Sequence, residues 1–557
     1  MKPILFFIIF LFAVLGSKAQ SAHWSLDIKS EVDNDFSDIV TDENGFLYTI
    51  GTIGKTNAYV GDFEVSVLGE SSLFFAKLSP EGDVLWAKAI PNGSGGMLGH
   101  NPTDLIYDTN SQSFFATGLA NNYGDSIIGG GFSPFLIRLN LDGELMWAES
   151  FVSDCSGAPH NVKVSGGLDI NNERLFFSFN SCDQSHTNLI KNELTLEGGS
   201  SYILEFTLNG VLTKVEESIP NAEIIREEFG LRTFYSGRFK DSLSLTEDSI
   251  LYTGPGATNN GVFYSIEKGV LNFSLHFDSK ESTITSINHI GNIGTVLFGR
   301  YGKNLIVNGD TLEEGNEEFH NSFVMFIDPE GNISWFKTLS KKGETPVGKF
   351  CAEFYNNNLV ISFVFMDELS YAGENWNPNQ VTTTQTGAAL LISQIDILSG
   401  EILESTVYGN AYLYQGRSNK LKNLNNKLFL LGNYQKEFEI GNVNLERQDS
   451  FIPGSAFIIA FDDVSNTHEI KEDEMDQPLQ MYSNPSPGVS AVVLPQNFQN
   501  EILTLQVTNS LGKVISTKHF MGGIKDLPIN IKGQPAGKYI VTISNGSESI
   551  SGSLILK

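Results

Sequence analysis

The sequence predicts an all-β protein in two parts, a long repetitive region followed by a small C-terminal domain. Three observations predict it. Of the 557 residues 54 are Gly and 40 are Phe while only 18% are charged, a mixture that suits many short strands joined by tight turns. A unit of about sixty residues recurs along most of the chain. After it, a polar, acidic stretch introduces a second pattern of strictly alternating apolar residues.

The repeat is clearest as a hairpin. Phe74–Lys88, Phe135–Glu149 and Phe323–Lys337 each hold an apolar strand, a polar turn ending in Gly, and a second strand that carries Trp. Weaker copies lie at Tyr202–Glu216, Val262–Phe277 and Ala389–Thr406. The turn glycines Gly82, Gly143, Gly210, Gly269, Gly331 and Gly400 are 59 to 69 residues apart. An earlier strand recurs at Phe46–Ile53, Phe114–Leu119, Leu175–Phe179, Thr233–Arg238, Thr295–Arg300, Leu359–Phe363 and Leu428–Asn433, with Gly51, Gly118, Gly237, Gly299 and Gly432 in one equivalent place. A short inner strand precedes it, as at Phe36–Thr41 and Thr103–Tyr107. The unit is therefore a four-stranded meander. Strands such as Leu73–Ala76 are apolar on both faces, as a sheet is when neighbours cover both its sides. Radial stacking of blades in a β-propeller does this.

The ends of the chain fix the count. The seventh unit stops after its third strand, Ala456–Phe461, without a Trp-bearing fourth. His23–Ile28, with Trp24, resembles Leu85–Ile90 and supplies the missing piece. The expectation is a seven-bladed β-propeller over residues 20–463, closed by the N-terminal strand; six or eight blades are the alternatives. The strand–turn–strand form resembles the bacterial seven-bladed propeller repeat family, most strongly in three units. That resemblance implies extracellular binding or scaffolding and no single reaction.

Residues 1–19 read as a signal peptide. Lys2 provides the positive start, Ile4–Leu15 the apolar run, and Ser17-Lys18-Ala19 the small residues before a mature start at Gln20. No cysteine follows that could carry a lipid anchor, and no later segment is apolar enough to span a membrane. Export permits a disulfide between Cys155 and Cys182, or both remain buried thiols; Cys351 is left over. The net charge of -29 excludes nucleic acid and anionic membranes as partners and keeps an exported protein soluble. An acidic surface that takes Ca²⁺ or cationic groups is the alternative.

Residues 464–480 read as an acidic linker. Strands at Ser490–Leu494, Leu503–Thr508, Val514–Lys518, Leu527–Ile531, Tyr539–Ile543 and Ser549–Leu556 then predict a small Ig-like β-sandwich over 481–557. Four motifs keep their order there: Tyr482-x-Asn484-Pro485, Leu511-Gly512-Lys513-Val514, Pro535-Ala536-Gly537-Lys538-Tyr539 and the terminal Leu554–Lys557. Together they resemble the type A sorting domain of the Bacteroidetes type IX secretion system, with Ser483 where a Pro is usual. The resemblance implies passage through the periplasm to the outer-membrane surface or the medium, with the type IX machinery and its sortase as partners. An ordinary β-sandwich binding module is the alternative.

Chemistry is sparse in the sequence. His100 and His160 occupy equivalent connections between successive units, on the face where the connections Gly54–Ser72 and Asp367–Thr386 are long; that face is the expected ligand surface, with polar turn residues as the alternative for the two His, and Trp376 there is either an aromatic that stacks on sugar or an anchor of its own loop. Asp38 and Asp104 lie at similar inner-strand positions, as a glycosidase pair would. Asp33, Asp35 and Asp38 form only a fragment of a calcium loop. No phosphate loop, nucleophile elbow or zinc spacing occurs. The expectation is a non-enzymatic surface or secreted binder of a glycan or protein, without catalytic residues or cofactor. The rivals are a polysaccharide- or peptide-cleaving enzyme with its site in the central pocket, and a structural spacer.

Overall fold

The computed structural model describes residues 22–461 and 479–557 apart from connecting stretches, the longest being 91–101, 123–130, 154–167, 253–259, 343–350, 412–418 and 447–454. All regular structure among the described residues is β-strand. In the first unit Asn34–Thr41, Leu47–Ile53, Ser72–Leu78 and Val84–Ala89 pair in that order as an antiparallel meander. The same order recurs in units two to six, which begin at Pro102, Leu168, Glu223, Thr283 and Cys351. In the seventh, Lys420–Leu424, Lys427–Tyr434 and Ser455–Phe461 are completed by Ala22–Lys29, which runs antiparallel to Ser455–Phe461 with Trp24 opposite Ala460 and Asp27 opposite Phe457. The first strand of each unit touches that of the next, and the first strand of unit seven touches that of unit one.

The two hallmarks of the repeat belong to one contact. At the turn between third and fourth strands, Gly82 N–H donates to Ser79 O at 3.0 Å, and Gly82 has φ +94°, a left-handed conformation that Gly adopts freely. A Cβ there would also lie 2.3 Å from the Trp24 ring. Gly143 lies against Trp86, Gly210 against Trp147, Gly400 against Trp335, and Gly331 against Phe273. In units one, two, three, five and six the turn glycine is thus the floor beneath the aromatic residue of the preceding unit's fourth strand, while Gly269 of unit four lies outside the described residues. The second-strand glycines do a different job. Gly51 stands opposite Phe74, Gly118 opposite Phe135, Gly299 opposite Phe323 and Gly432 opposite Phe457. A Cβ on Gly51 would sit 2.5 Å from the Phe74 ring, so the glycine vacates space that the phenyl fills.

The long connections between second and third strands depart from expectation. Rather than forming a rim of loops, four of them fold into hairpins that extend the outer edge of the preceding sheet. Ala58–Val65 adds to Ala22–Lys29, Thr187–Leu196 to Leu145–Ser153, Asn304–Glu314 to Val270–Phe277, and Glu368–Trp376 to Ile333–Lys342. A fourth strand otherwise presents unpaired N–H and C=O groups, and the hairpin pairs with part of that edge. Buried Glu149 clamps one of these hairpins, accepting from Lys191 N at 2.8 Å and Asn192 N at 3.1 Å.

Residues 480–557 form two packed sheets. Gln480–Tyr482, Val489–Val493 and Asp526–Asn530 make one; Val514–Met521, Ile502–Asn509, Gly537–Ser544 and Ser549–Leu556 make the other. Leu503, Leu505, Val507, Phe520, Val541 and Leu554 fill the space between them. The first strand starts at Gln480, the last residue of the expected linker; residues 464–478 of that linker lie outside the described residues, as do 462–463 and the signal segment.

Candidate functional site

Among the described residues, a concentration of buried charge on the inner strands joins units six, seven, one and two. A one-residue register shift between Phe36 and Asp38 turns Asp38 inward, and a matching shift does the same for Asp104. Asp38 is fully buried. Its Oδ1 accepts from Ile39 N at 2.8 Å, and its Oδ2 accepts from Leu105 N at 2.9 Å and Lys420 Nζ at 2.8 Å. Lys422 Nζ stands 3.5 Å from Oδ1. Lys420 also donates to Thr103 O at 3.1 Å and lies 3.3 Å from Asp104 Oδ1. One ammonium and one carboxylate therefore tie three inner strands together.

The electrostatics follow from that pairing. Burial pushes the Asp38 carboxyl up, but Lys420 and Lys422 outweigh it and hold Asp38 below the ordinary 3.8. Burial pulls Lys420 down, and Asp38 and Asp104 overcome it, leaving its ammonium more firmly protonated than usual. Glu353, on the strand Cys351–Tyr355, is pushed up to about 7 by burial, with Lys422 pulling it down and Asp38 adding to the rise. Side-chain amides stitch the neighbouring strands: Asn423 Nδ2 donates to Phe354 O at 2.8 Å, and Asn288 Nδ2 to Ala352 O at 2.5 Å. The Cys351 thiol donates to Asn419 O at 2.6 Å.

The sequence singled out Asp38 and Asp104, and the structure brings them together, but around Lys420 rather than around an open cleft. Lys420, Lys422 and Glu353 escaped sequence reasoning. The available signal was Lys-Leu-Lys at 420–422, two charges on one side of a strand equivalent to the inner strands. Both Asp38 oxygens face ammonium groups, which leaves neither for a cation, and no cluster of three or more metal-binding side chains occurs among the described residues. Asp35 Oδ2 accepts from Ser37 Oγ at 3.0 Å. Asp33, His100, His160, Cys155 and Cys182 lie outside the described residues. Trp376 is the end of an outer hairpin, opposite Leu369, and packs half-buried against the core shared by units five and six rather than standing on a rim.

In the C-terminal domain the ordered motifs assemble into three structures. Asn484 Oδ1 accepts from Ile555 N at 3.0 Å and its Nδ2 donates to Ser553 O at 2.7 Å, while Lys557 N donates to Ser486 O at 3.0 Å. Tyr482 pairs with Ala491 just before this clamp, and Pro485 is exposed within it, so the opening motif holds the terminal strand in place. Gly512, φ +81°, closes the turn in which Lys513 N donates to Asn509 Oδ1 at 3.0 Å. Gly537 opens a strand with free space around it, and buried Tyr539 donates its hydroxyl to Pro535 O at 2.7 Å.

A family described as a secretion system C-terminal sorting domain matches residues 480–557. The chain is accordingly an export cargo of type IX secretion, delivered to the cell surface or secreted. No curated protein matches it in sequence. Among solved structures it is similar to the quinohemoprotein alcohol dehydrogenase of Comamonas testosteroni, with TM-score 0.34 and 9% identity over 80% of this chain and 76% of that one. It is also similar to the NanB sialidase of Streptococcus pneumoniae, with TM-score 0.30 and 9% identity over 80% and 69%. A protein of unknown function from Bacteroides caccae gives TM-score 0.26 and 11% identity over 57% and 91%. Likenesses this remote assign neither an activity nor a ligand.

Proposed function

We propose that residues 22–461 form a closed seven-bladed β-propeller, delivered by its Ig-like sorting domain and serving outside the cell as a non-catalytic platform for a glycan or protein. The cyclic contacts of the inner strands and the pairing of Ala22–Lys29 with Ser455–Phe461 support the closure. The observation that carries the non-catalytic reading is the state of Asp38. Its oxygens are committed to Lys420, Lys422 and the Leu105 N–H, so the buried charge is spent on joining strands. A glycan array and a pull-down from host and bacterial surface extracts, both with the mature chain from Gln20, test this directly. Saturable binding supports the platform. Absence of any ligand favours a spacer.

Glu353 favours a second reading. A carboxyl that titrates at about 7 can serve as a general acid or base. Turnover of a polysaccharide or peptide library that is lost in Glu353→Gln, with binding kept, would establish an enzyme and overturn the platform.

A further inference from the structure

The C-terminal domain is not held by its linker alone. Its Ile502 is part of the buried cluster formed by Ile290, Ile293 and Phe354 of units five and six. The His519 ring packs edge-on against Phe354, with centroids 4.6 Å apart. Lys513 Nζ lies 3.4 Å from Glu43 Oε2, in the turn between the first two strands of unit one. Ile502 and His519 stand at one end of the paired strands Ile502–Asn509 and Val514–Met521, and Lys513 stands in the turn at the other end. The two printed propeller-side partners, Phe354 and Glu43, fall at the ends of first strands or in the turns into second strands.

An eight-residue strand spans about 26 Å. Units five and six are not neighbours of unit one in the order of inner-strand contacts, since unit seven stands between them. A hairpin that touches units six and one spans unit seven at the inner ends of the strands, beside the opening of the ring. We propose that the sorting domain is a docked plug, whose outer sheet face closes the mouth of the propeller channel on the side of the first-to-second-strand turns until the domain is removed. This rests on the closed-ring reading of the propeller. Its consequence is a latent surface. A ligand that enters from this side meets Ile502 and His519 in the precursor, and Phe354, Glu43 and the Glu353–Lys422 wall once the domain is gone. The contact has an acid–base pair at one end and an apolar anchor at the other, so both charge and burial select this occupant. His519 carries a built-in reporter. Its Nδ1 lies 3.0 Å from Thr504 Oγ1, and burial pushes the ring down to about 4.

The test uses the full chain with a specific protease site inserted between Phe461 and Leu479. Size exclusion after cutting reads whether the pieces stay together, and NMR of the imidazole reads His519. Docking predicts co-elution at micromolar concentration, and a His519 that stays neutral to about pH 4 until the pieces part, then titrates near the ordinary 6.5. Lys513→Glu should weaken the association at least about three-fold, as expected for a partly exposed ion pair turned repulsive, and Glu43→Lys in the same chain should restore it. Pieces that part at every concentration, or a His519 that titrates identically before and after parting, overturn the plug. Either result leaves the ring intact, because ring closure is read separately from the amide protection of Ser455–Phe461.

Discussion

At the seam between units one and two, Trp86 lies over Gly143; at the seam where unit seven meets unit one, Trp24 lies over Gly82 in the same way. The packing is shared, but the polar chemistry is not. At two internal seams the indole N–H finds a partner: Trp147 Nε1 donates to Leu208 O at 3.1 Å and Trp335 Nε1 to Ile397 O at 2.6 Å. The Trp24 indole N–H is buried without one. The closing seam is instead rich in long-range side-chain bonds. Asn433 Nδ2 donates to Asn34 O at 2.9 Å, Ala456 N donates to Asn34 Oδ1 at 2.7 Å, and Ala22 N donates to Asn442 Oδ1 at 2.7 Å. Behind them stands the Asp38–Lys420–Asp104 cluster. An internal seam is held by a covalent connection as well as by packing. The seam between units seven and one is likewise crossed by the chain, which runs from Ala22–Lys29 into Asn34–Thr41; the covalent break lies inside unit seven, where Ala22–Lys29 pairs with Ser455–Phe461, and directional bonds help to specify the register there.

The comparison breaks first at Asp38. Asp38→Ala leaves the buried Lys420 ammonium short of its main partner and the Leu105 N–H unpaired, and should lower unfolding free energy by roughly 3–5 kcal/mol, measured by denaturant titration. If the loss is under about 1 kcal/mol, the cluster does not hold the seam. The tryptophans come next. Trp147→Ala should cost about 3–5 kcal/mol, and Trp24→Ala about 1 kcal/mol less, because only the former also removes a hydrogen bond. Equal losses would mean that the seams differ in nothing but sequence position.

A third prediction concerns pH. Glu353 is raised in the folded protein, so the native state binds its proton more tightly than the unfolded chain does. Its contribution is intact below the unfolded value near 4.5 and is lost as pH rises towards 7. Asp38 acts in the opposite sense: its folded value is depressed, and its stabilisation is present above 3.8 and lost as pH falls below it. Glu353→Gln should therefore raise stability by on the order of 2 kcal/mol at pH 8 and change little at pH 4. A variant whose gain is the same at both values would remove Glu353 from the account. The smallest effect is expected at Asn34. Asn34→Ala removes the acceptor of Ala456 N and should cost about 1–2 kcal/mol, with faster amide exchange at Ala456 as its local signature.

The turn glycines and the Trp-bearing strands were legible because they recur at fixed places in the clearest units, though not that they meet across a seam, and the closing strand was legible because Trp24 repeats the missing fourth-strand pattern. The sorting domain was legible for the same reason: its motifs are short and ordered. The ionic cluster was not. Asp38 and Leu105 are separated by 67 residues and Lys420 and Asp104 by 316, so no local pattern links them. The outer hairpins were legible as length but not as pairing. Strands of three residues, such as Ala58–Val60, carry no periodicity, and their partner lies in another unit. Four of the long connections therefore lie along the outer edges of the sheets.

Closure of the ring by Ala22–Lys29 is tested most directly by amide hydrogen exchange of Ser455–Phe461, in the mature chain and in a chain lacking residues 22–29. The account predicts strong protection in the first, exchange rates of an exposed edge strand in the second, and protection regained when a peptide of residues 22–29 is added. Equal protection in both chains would contradict it.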